Sequence, residues 1–241
     1  MIKKTQAIIL NKIKYKDNSY IVNFFSKDYG RFAALIRISN TARSDIKTSS
    51  FFPLNIVDIE IKLKNTREVQ NITYCNNAEN LTNIILDINK LTIAQFIAEI
   101  ILKTIKEEES NLNIFNYLKK IAIKLNSSLE TTNNIHLLFL KDFASLSGFA
   151  FNNNYSENTQ YFNIKEGMFV SKFDNTNDAL DKKTSQVLNK LLNAKENYEL
   201  NELTKSDKIN ILNKLLFYYE QHIPSFGKTK SLKILQEVFN A

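Results

Sequence analysis

The sequence predicts an α+β protein, a small β-barrel followed by a mostly helical region, on three observations. Up to about residue 74 apolar side chains fall at alternate positions, the period of a half-buried strand. Beyond about residue 79 the spacing lengthens to three and four, the period of an amphipathic helix. The charge divides at the same place. Residues 1–74 hold 13 Lys and Arg against six Asp and Glu, while the remainder holds 19 of each, so the whole net charge of +7 sits in the first part.

The clearest strand is LNIVDIEIKLK, where Val57, Ile59, Ile61 and Leu63 alternate with Asp58, Glu60, Lys62 and Lys64. In RFAALIRI, Phe32, Ala34, Ile36 and Ile38 take one face, and Arg31, Ala33, Leu35 and Arg37 take the other. QAIILNKIKY, YIVNFFS and VQNITY read as three further strands, with turns at KDNS and at KDYG, where Gly30 tolerates positive φ. Five short strands in this length suggest a small antiparallel barrel of the oligonucleotide-binding (OB) type. The first domain is therefore expected over residues 1–78 and the helical one over 79–241.

In the second part, Ile93, Phe96, Ile97, Ile100, Ile101 and Ile105 trace a helical stripe. Ser110 marks a stop and restart before Leu112, Phe115, Leu118 and Ala122. Asn133 or Asn134 is placed to cap IHLLFLKDFASLS, which Gly148 closes. YFNIKEGMFV reads as a small hairpin near 160–173 turning at Glu166-Gly167, and weaker helices follow near 181–194, 206–222 and 229–239.

Composition narrows the function classes. Only four Gly and two Pro leave little material for glycine-built phosphate loops. A single Cys75 and two distant histidines make neither a disulfide nor a structural zinc site. The start MIKKTQAIIL is too short an apolar run for an export signal, and LTIAQFIAEIILKTI is broken by Gln95 and Glu99, so a cytoplasmic protein is expected. The GKT in SFGKTKS lacks the second P-loop glycine, because that position is His222. Glu107, Glu108 and Glu109 fan around a helix instead of converging on a metal, and Ser147-Gly148 lacks the preceding glycine of a nucleophile elbow. No set of base, nucleophile and oxyanion donor assembles, so no enzyme and no cofactor are expected.

The remaining constellation is basic residues interleaved with aromatics on a small barrel, which is how single strands are held: a positive groove for the backbone and rings for the bases. The candidates are Arg31, Arg37, Arg43 and Lys47, with Lys12, Lys14 and Lys16 on the first strand and Tyr15, Tyr20 or Tyr29 as stacking faces. Charge and aromatics do not separate DNA from RNA, and an adaptor whose helical part binds proteins is the other reading of the same residues.

The opening KTQAIILNKIKYKDNSYIVNFFSKDYGR resembles the start of the RecO family of recombination mediators: K-T-x-A-I-I-L, then Y-x-D-x-S-x-I-V, then F-S and a Gly-Arg pair. KSLKILQEVF is similar to that family's last helix. FIAEIILKTIKEEESNLNIFNYL and IHLLFLKDFASLSGF resemble its helical core. The resemblance implies an OB-fold barrel before a helical domain, binding of single- and double-stranded DNA, and single-strand annealing in repair of DNA damage by recombination. It implies work with RecR to load RecA onto DNA coated by single-strand-binding protein, in the bacterial cytoplasm at the nucleoid. The acidic C-terminal tail of that coating protein would dock on the helical domain, where Phe139, Leu140 and Phe143 offer an apolar surface beside Lys141. Many members bind zinc through four cysteines near the small hairpin; this chain has none there, which implies no metal. A Gly-Ala-Arg-like stretch of the family is replaced here by Ile38-Ser39-Asn40 before Thr41-Ala42-Arg43.

Overall fold

A computed structural model describes residues 2–37, 50–63, 67–106, 109–127, 134–172 and 178–240. Strands β1 (Lys3–Lys16), β2 (Ser19–Ser26), β3 (Gly30–Arg37), β4 (Ile56–Lys62) and β5 (Val69–Asn77) close into a barrel in the order β1-β2-β3-β5-β4. All neighbouring pairs are antiparallel except β3 and β5, which run parallel. The antiparallel barrel expected from the strand count therefore closes through one parallel seam, a long-range pairing that no local pattern announces. Gly30 at φ 62° makes the turn between β2 and β3.

Alternation fills the barrel as expected. Ala7, Ile9, Val22, Phe24, Phe32, Ala34, Ile36, Val57, Ile59, Ile61 and Ile72 form its interior, with Phe24 stacked on Phe32 at 5.3 Å between centroids. Leu63 packs against this interior. On β1, Ile8 and Leu10 are also fully buried outside the barrel cluster, as are Phe25 on β2 and Ile56 on β4. A run apolar on both faces is what a strand needs when helices cover its outer side.

Those helices belong to the same compact unit, which comprises residues 1–129 and 231–241; residues 130–230 form the other. The packing border thus does not follow the change of period at residue 78. In the first unit, α1 (Thr82–Leu86), α2 (Ile88–Thr104), α3 (Leu112–Ser127) and α7 (Ser231–Asn240) join the barrel. α2 packs on β1, α1, α3 and α7 and buries residues around most of its circumference, the Ile93–Ile101 stripe included. Asp87 caps its start, accepting from Asn89 and Lys90 amides at 2.8 and 3.3 Å. Asn111, not Ser110, caps α3 through the Ile114 amide at 3.0 Å.

Three charged side chains then tie this unit together at helix ends. Arg31 donates to the carbonyls of Leu102 and Ile105, at 3.0 and 2.6 Å, at the C-terminus of α2. Lys90 on α2 is buried and donates to the Asn126 carbonyl at 3.0 Å, at the C-terminus of α3. Glu99 on α2 accepts from the Ser231 amide and hydroxyl at 2.8 and 2.6 Å, at the N-terminus of α7. Each charge has the sign that complements the helix end it meets.

The second unit holds α4 (Ile135–Leu146), the hairpin β6 (Tyr161–Asn163) and β7 (Met168–Val170), α5 (Lys182–Asn193), a 3-10 turn at Asn197–Leu200, and α6 (Lys205–His222). Gly148 at φ 87° ends α4, as expected, and the Phe149 amide reaches back to the Ala144 carbonyl. Asn134 stands at the N-cap position, but its side-chain amide donates to Asn197 and Asn201 instead of capping the helix. Asn133 lies outside the described residues. Around the hairpin, Phe162 meets Phe169 edge-on at 5.0 Å, Tyr155 meets Phe169 at 5.2 Å, and Tyr218 stacks on Phe151 at 4.1 Å. The Asn154 side chain pairs with both backbone groups of Phe169, at 2.8 and 2.9 Å, imitating a strand neighbour.

Two stability predictions follow from these contacts. Arg31→Met should lower the urea unfolding free energy by about 1.5–3 kcal/mol, the range for hydrogen bonds to a charged group, with Arg31→Lys only partly restoring it. His136, fully enclosed on α4, has its pKa lowered to about 4, chiefly by burial and further by the charge of Lys208. The unfolded chain binds the proton near pH 6.5 and the folded chain does not, so stability falls as pH drops from about 6.5 to 4. The loss should reach on the order of 3 kcal/mol, and His136→Gln should flatten it in urea titrations run across that window.

Candidate nucleic-acid interface

The barrel's outer face divides into rows, because residues paired across strands point to the same side. The first row is Ile56, Ile8, Phe25 and Arg31, paired across β4, β1, β2 and β3. Its three apolar members are fully buried, and on β1 the helices α2 and α3 pack against the strand. The next row is Asn11, Asn23, Ala33 and Val69, with the Asn23 amide donating to the Asn11 side-chain oxygen at 2.7 Å. Then come Ile13, Ile21, Leu35 and Asn71, and finally Lys16, Ser19 and Arg37.

A β-bulge at Leu10 decides this arrangement. It adds one residue to β1 between the pairs Ile9–Phe24 and Asn11–Asn23. Without it, Ile13 and Tyr15 would continue the inward parity of Ala7 and Ile9. With it, Ile13 turns outward, and Lys12 and Lys14 share the side of Val22 and Tyr20. A second shift, between Lys14 and Lys16, leaves Tyr15 as the extra residue and brings Lys16 into the outward row with Arg37.

The expected site residues are therefore distributed as follows. Arg37, at the end of β3, is exposed on the outer face, and Tyr15 is 55% exposed, with the Lys16 ammonium 5.5 Å from its ring centroid. Lys12 and Lys14 are exposed on the opposite side of the same hairpin, where Lys12 lies 5.4 Å from the ring of Tyr20. Tyr20 itself is partly buried against the barrel interior, and Tyr29 lies beneath Lys3 at 4.9 Å. Arg31 is half-buried, burial lowers its pKa, and its guanidinium is given to the two α2 carbonyls; the structure makes it a helix cap in place of the phosphate contact expected of it. Arg43 and Lys47 lie outside the described residues.

The side of the barrel formed by the start of β1 with β4 and β5 carries both signs. Asp28, Asp58 and Glu60, three of the six acids in residues 1–74, line one groove there with Lys4, Lys27 and Tyr74. Lys4 is already paired with Glu60 at 2.9 Å. In the other unit, Phe139, Leu140 and Phe143 do not form the apolar surface expected of them. All three are fully buried, Phe139 stacks on Phe143 at 5.0 Å, and the Tyr219 hydroxyl donates to the Leu140 carbonyl. Lys141 donates to the Ala194 carbonyl at 2.5 Å and pairs with Asp142 at 3.2 Å. The helical period of the sequence shows that these residues share an apolar stripe but not which stripe meets water.

Residues 1–80 match the family described as recombination protein O N terminal, and residues 85–233 match recombination protein O C terminal. The chain belongs to the RecO family. It is 31% identical over 241 residues to the DNA repair protein RecO of Azobacteroides pseudotrichonymphae, covering all of both chains. It is 30% identical to that of Flavobacterium johnsoniae and 31% to that of Flavobacterium psychrophilum, in each case over 98% of this chain and 99% of the relative. RecO is a DNA repair family with an OB-type barrel, as the sequence resemblance implies. Among the described residues no group of three or more His, Cys, Asp or Glu is placed to hold a metal, and no helix is long and apolar enough to cross a membrane.

Ile13 and the Asn11–Asn23 pair are the members of this face that the motif reading did not single out, whereas Lys16 is among its candidates. Their alternation is visible in the sequence, but the bulge that sets their parity is not.

Proposed function

We propose that this chain binds single- and double-stranded DNA through the barrel end bearing Lys16 and Arg37, and anneals complementary strands without covalent chemistry. The observation that carries this reading is the outer face of β1, β2 and β3, with Lys16 and Arg37 exposed at one edge, in a family of DNA repair proteins. Arg37 leads directly into the segment with Arg43 and Lys47, so those two cations are proposed as its continuation, with Lys12 and Lys14 on the reverse of the hairpin and Tyr15 at its tip. Neutralised phosphates release counterions, and the surface holds two strands close enough to pair. In repair the partners proposed are RecR, RecA as the protein to be loaded, and the acidic tail of single-strand-binding protein. The buried state of Phe139, Leu140 and Phe143 gives that tail no apolar platform on α4, so its docking surface is sought elsewhere.

With about four phosphates contacted, log K against log salt should slope by roughly −3 to −4. Replacing Arg37, Arg43 and Lys47 together by Gln should flatten that slope and weaken binding equally across sequences. Salt-independent affinity, or a triple variant that binds like the parent, would contradict the reading. Competition between DNA and RNA strands of one sequence separates the DNA reading from an RNA-binding barrel. Strand annealing with and without single-strand-binding protein separates it from a pure adaptor, which would never anneal.

A further inference from the structure

Between the amide row and the basic row of the barrel's outer face lies an apolar row that the electrostatic reading leaves unused. Ile13, Ile21 and Leu35 sit side by side on β1, β2 and β3 by register; Ile13 is 53% exposed, and Ile21 and Leu35 are partly buried. On one side the row is bounded by Asn11 and Asn23, and on the other by Lys16, Ser19 and Arg37. From Asn23 to Ser19, β2 runs four residues, about 13 Å at a strand's rise. Successive rows are then roughly 7 Å apart.

Resting on the nucleic-acid reading above, we propose that this face selects unpaired over paired nucleic acid, and that the Ile13–Ile21–Leu35 row is the selecting element. Its occupant is the exposed bases of a single strand whose phosphates meet Lys16 and Arg37. The charge at the row's edge fits a polyanion. The apolar row fits the flat faces of bases, which only an unpaired strand presents. A duplex keeps those faces stacked inside and offers phosphates outward, so it engages the basic edge and leaves the apolar row wet. Tyr15, at the tip beside Lys16, extends the base-facing surface. The Asn11–Asn23 pair spends one donor and one acceptor on itself and keeps a second amide proton and lone pair for base edges.

The test uses the full chain, a single-stranded oligonucleotide and the matching duplex, each titrated against the parent, Ile13→Ser, Ile13→Thr and Arg37→Gln. Ile13→Thr keeps the β-branched shape that strands favour, so a folded variant is in hand if Ile13→Ser loses the hairpin. Removing the exposed apolar side chain should weaken single-strand binding by roughly fivefold or more, with duplex binding changed less than about twofold. Arg37→Gln should weaken both. Equal weakening of both ligands by the Ile13 variants overturns the proposal, because the row is then not selective. Loss from Arg37→Gln with no effect at Ile13 overturns it while leaving the electrostatic reading standing. No effect from any variant overturns both.

Discussion

The structure of the barrel-bearing unit depends on one element, helix α2, and on the charges that fix helix ends around it. α2 packs on β1, whose Ile8 and Leu10 are buried outside the barrel interior, and itself buries residues on nearly every side. Apolar packing of that kind holds a helix in place without setting its position along its axis. Arg31, Lys90 and Glu99 supply the axial constraint: barrel to the end of α2, α2 to the end of α3, and α2 to the start of α7. Each satisfies backbone groups that would otherwise stay unpaired at a helix terminus. The chain's last helix is thereby joined to its middle.

On the proposed reading, this constraint also bears on where nucleic acid would lie. A five-stranded barrel has outward residues on every strand, and half of them could be functional by pattern alone. The end of α2 meets the β1–β2–β3 face at Arg31, and at the other end of that face the described residues Ile13, Lys16 and Arg37 are exposed. The groove on the β1–β4–β5 side carries Asp28, Asp58 and Glu60 among Lys4 and Lys27, so its cations are offset by acids, as those in the row of Lys16, Ser19 and Arg37 are not.

Much of this was legible in the residues. Alternation groups Val57, Ile59 and Ile61 on one strand face and Phe32, Ala34 and Ile36 on another, both enclosed by the barrel, and the Ile93–Ile101 stripe marks α2. What escaped has a common physical cause: it depends on the partner, not on the local pattern. The parallel β3–β5 seam is a choice of neighbour. The Leu10 bulge is a mismatch in length between two strands, and it moves Ile13 outward and Lys12 and Lys14 to the other side. Arg31 and Arg37 are equivalent in the strand pattern, yet one meets a helix end and the other meets solvent. Phe139, Leu140 and Phe143 look like an apolar surface in the sequence, but α6 packs on α4 and reaches Leu140 through Tyr219, and all three are buried.

The central claim, the proposed placement of nucleic acid on the Asn11–Arg37 end of the β1–β2–β3 face, is tested most directly by hydrogen–deuterium exchange. The full chain is compared with and without a saturating single-stranded oligonucleotide. The account predicts added protection in residues 11–23 and 33–37, with none at the start of β1 or in β4. Protection concentrated at residues 4–8 and 56–60, with the hairpin unchanged, would contradict it.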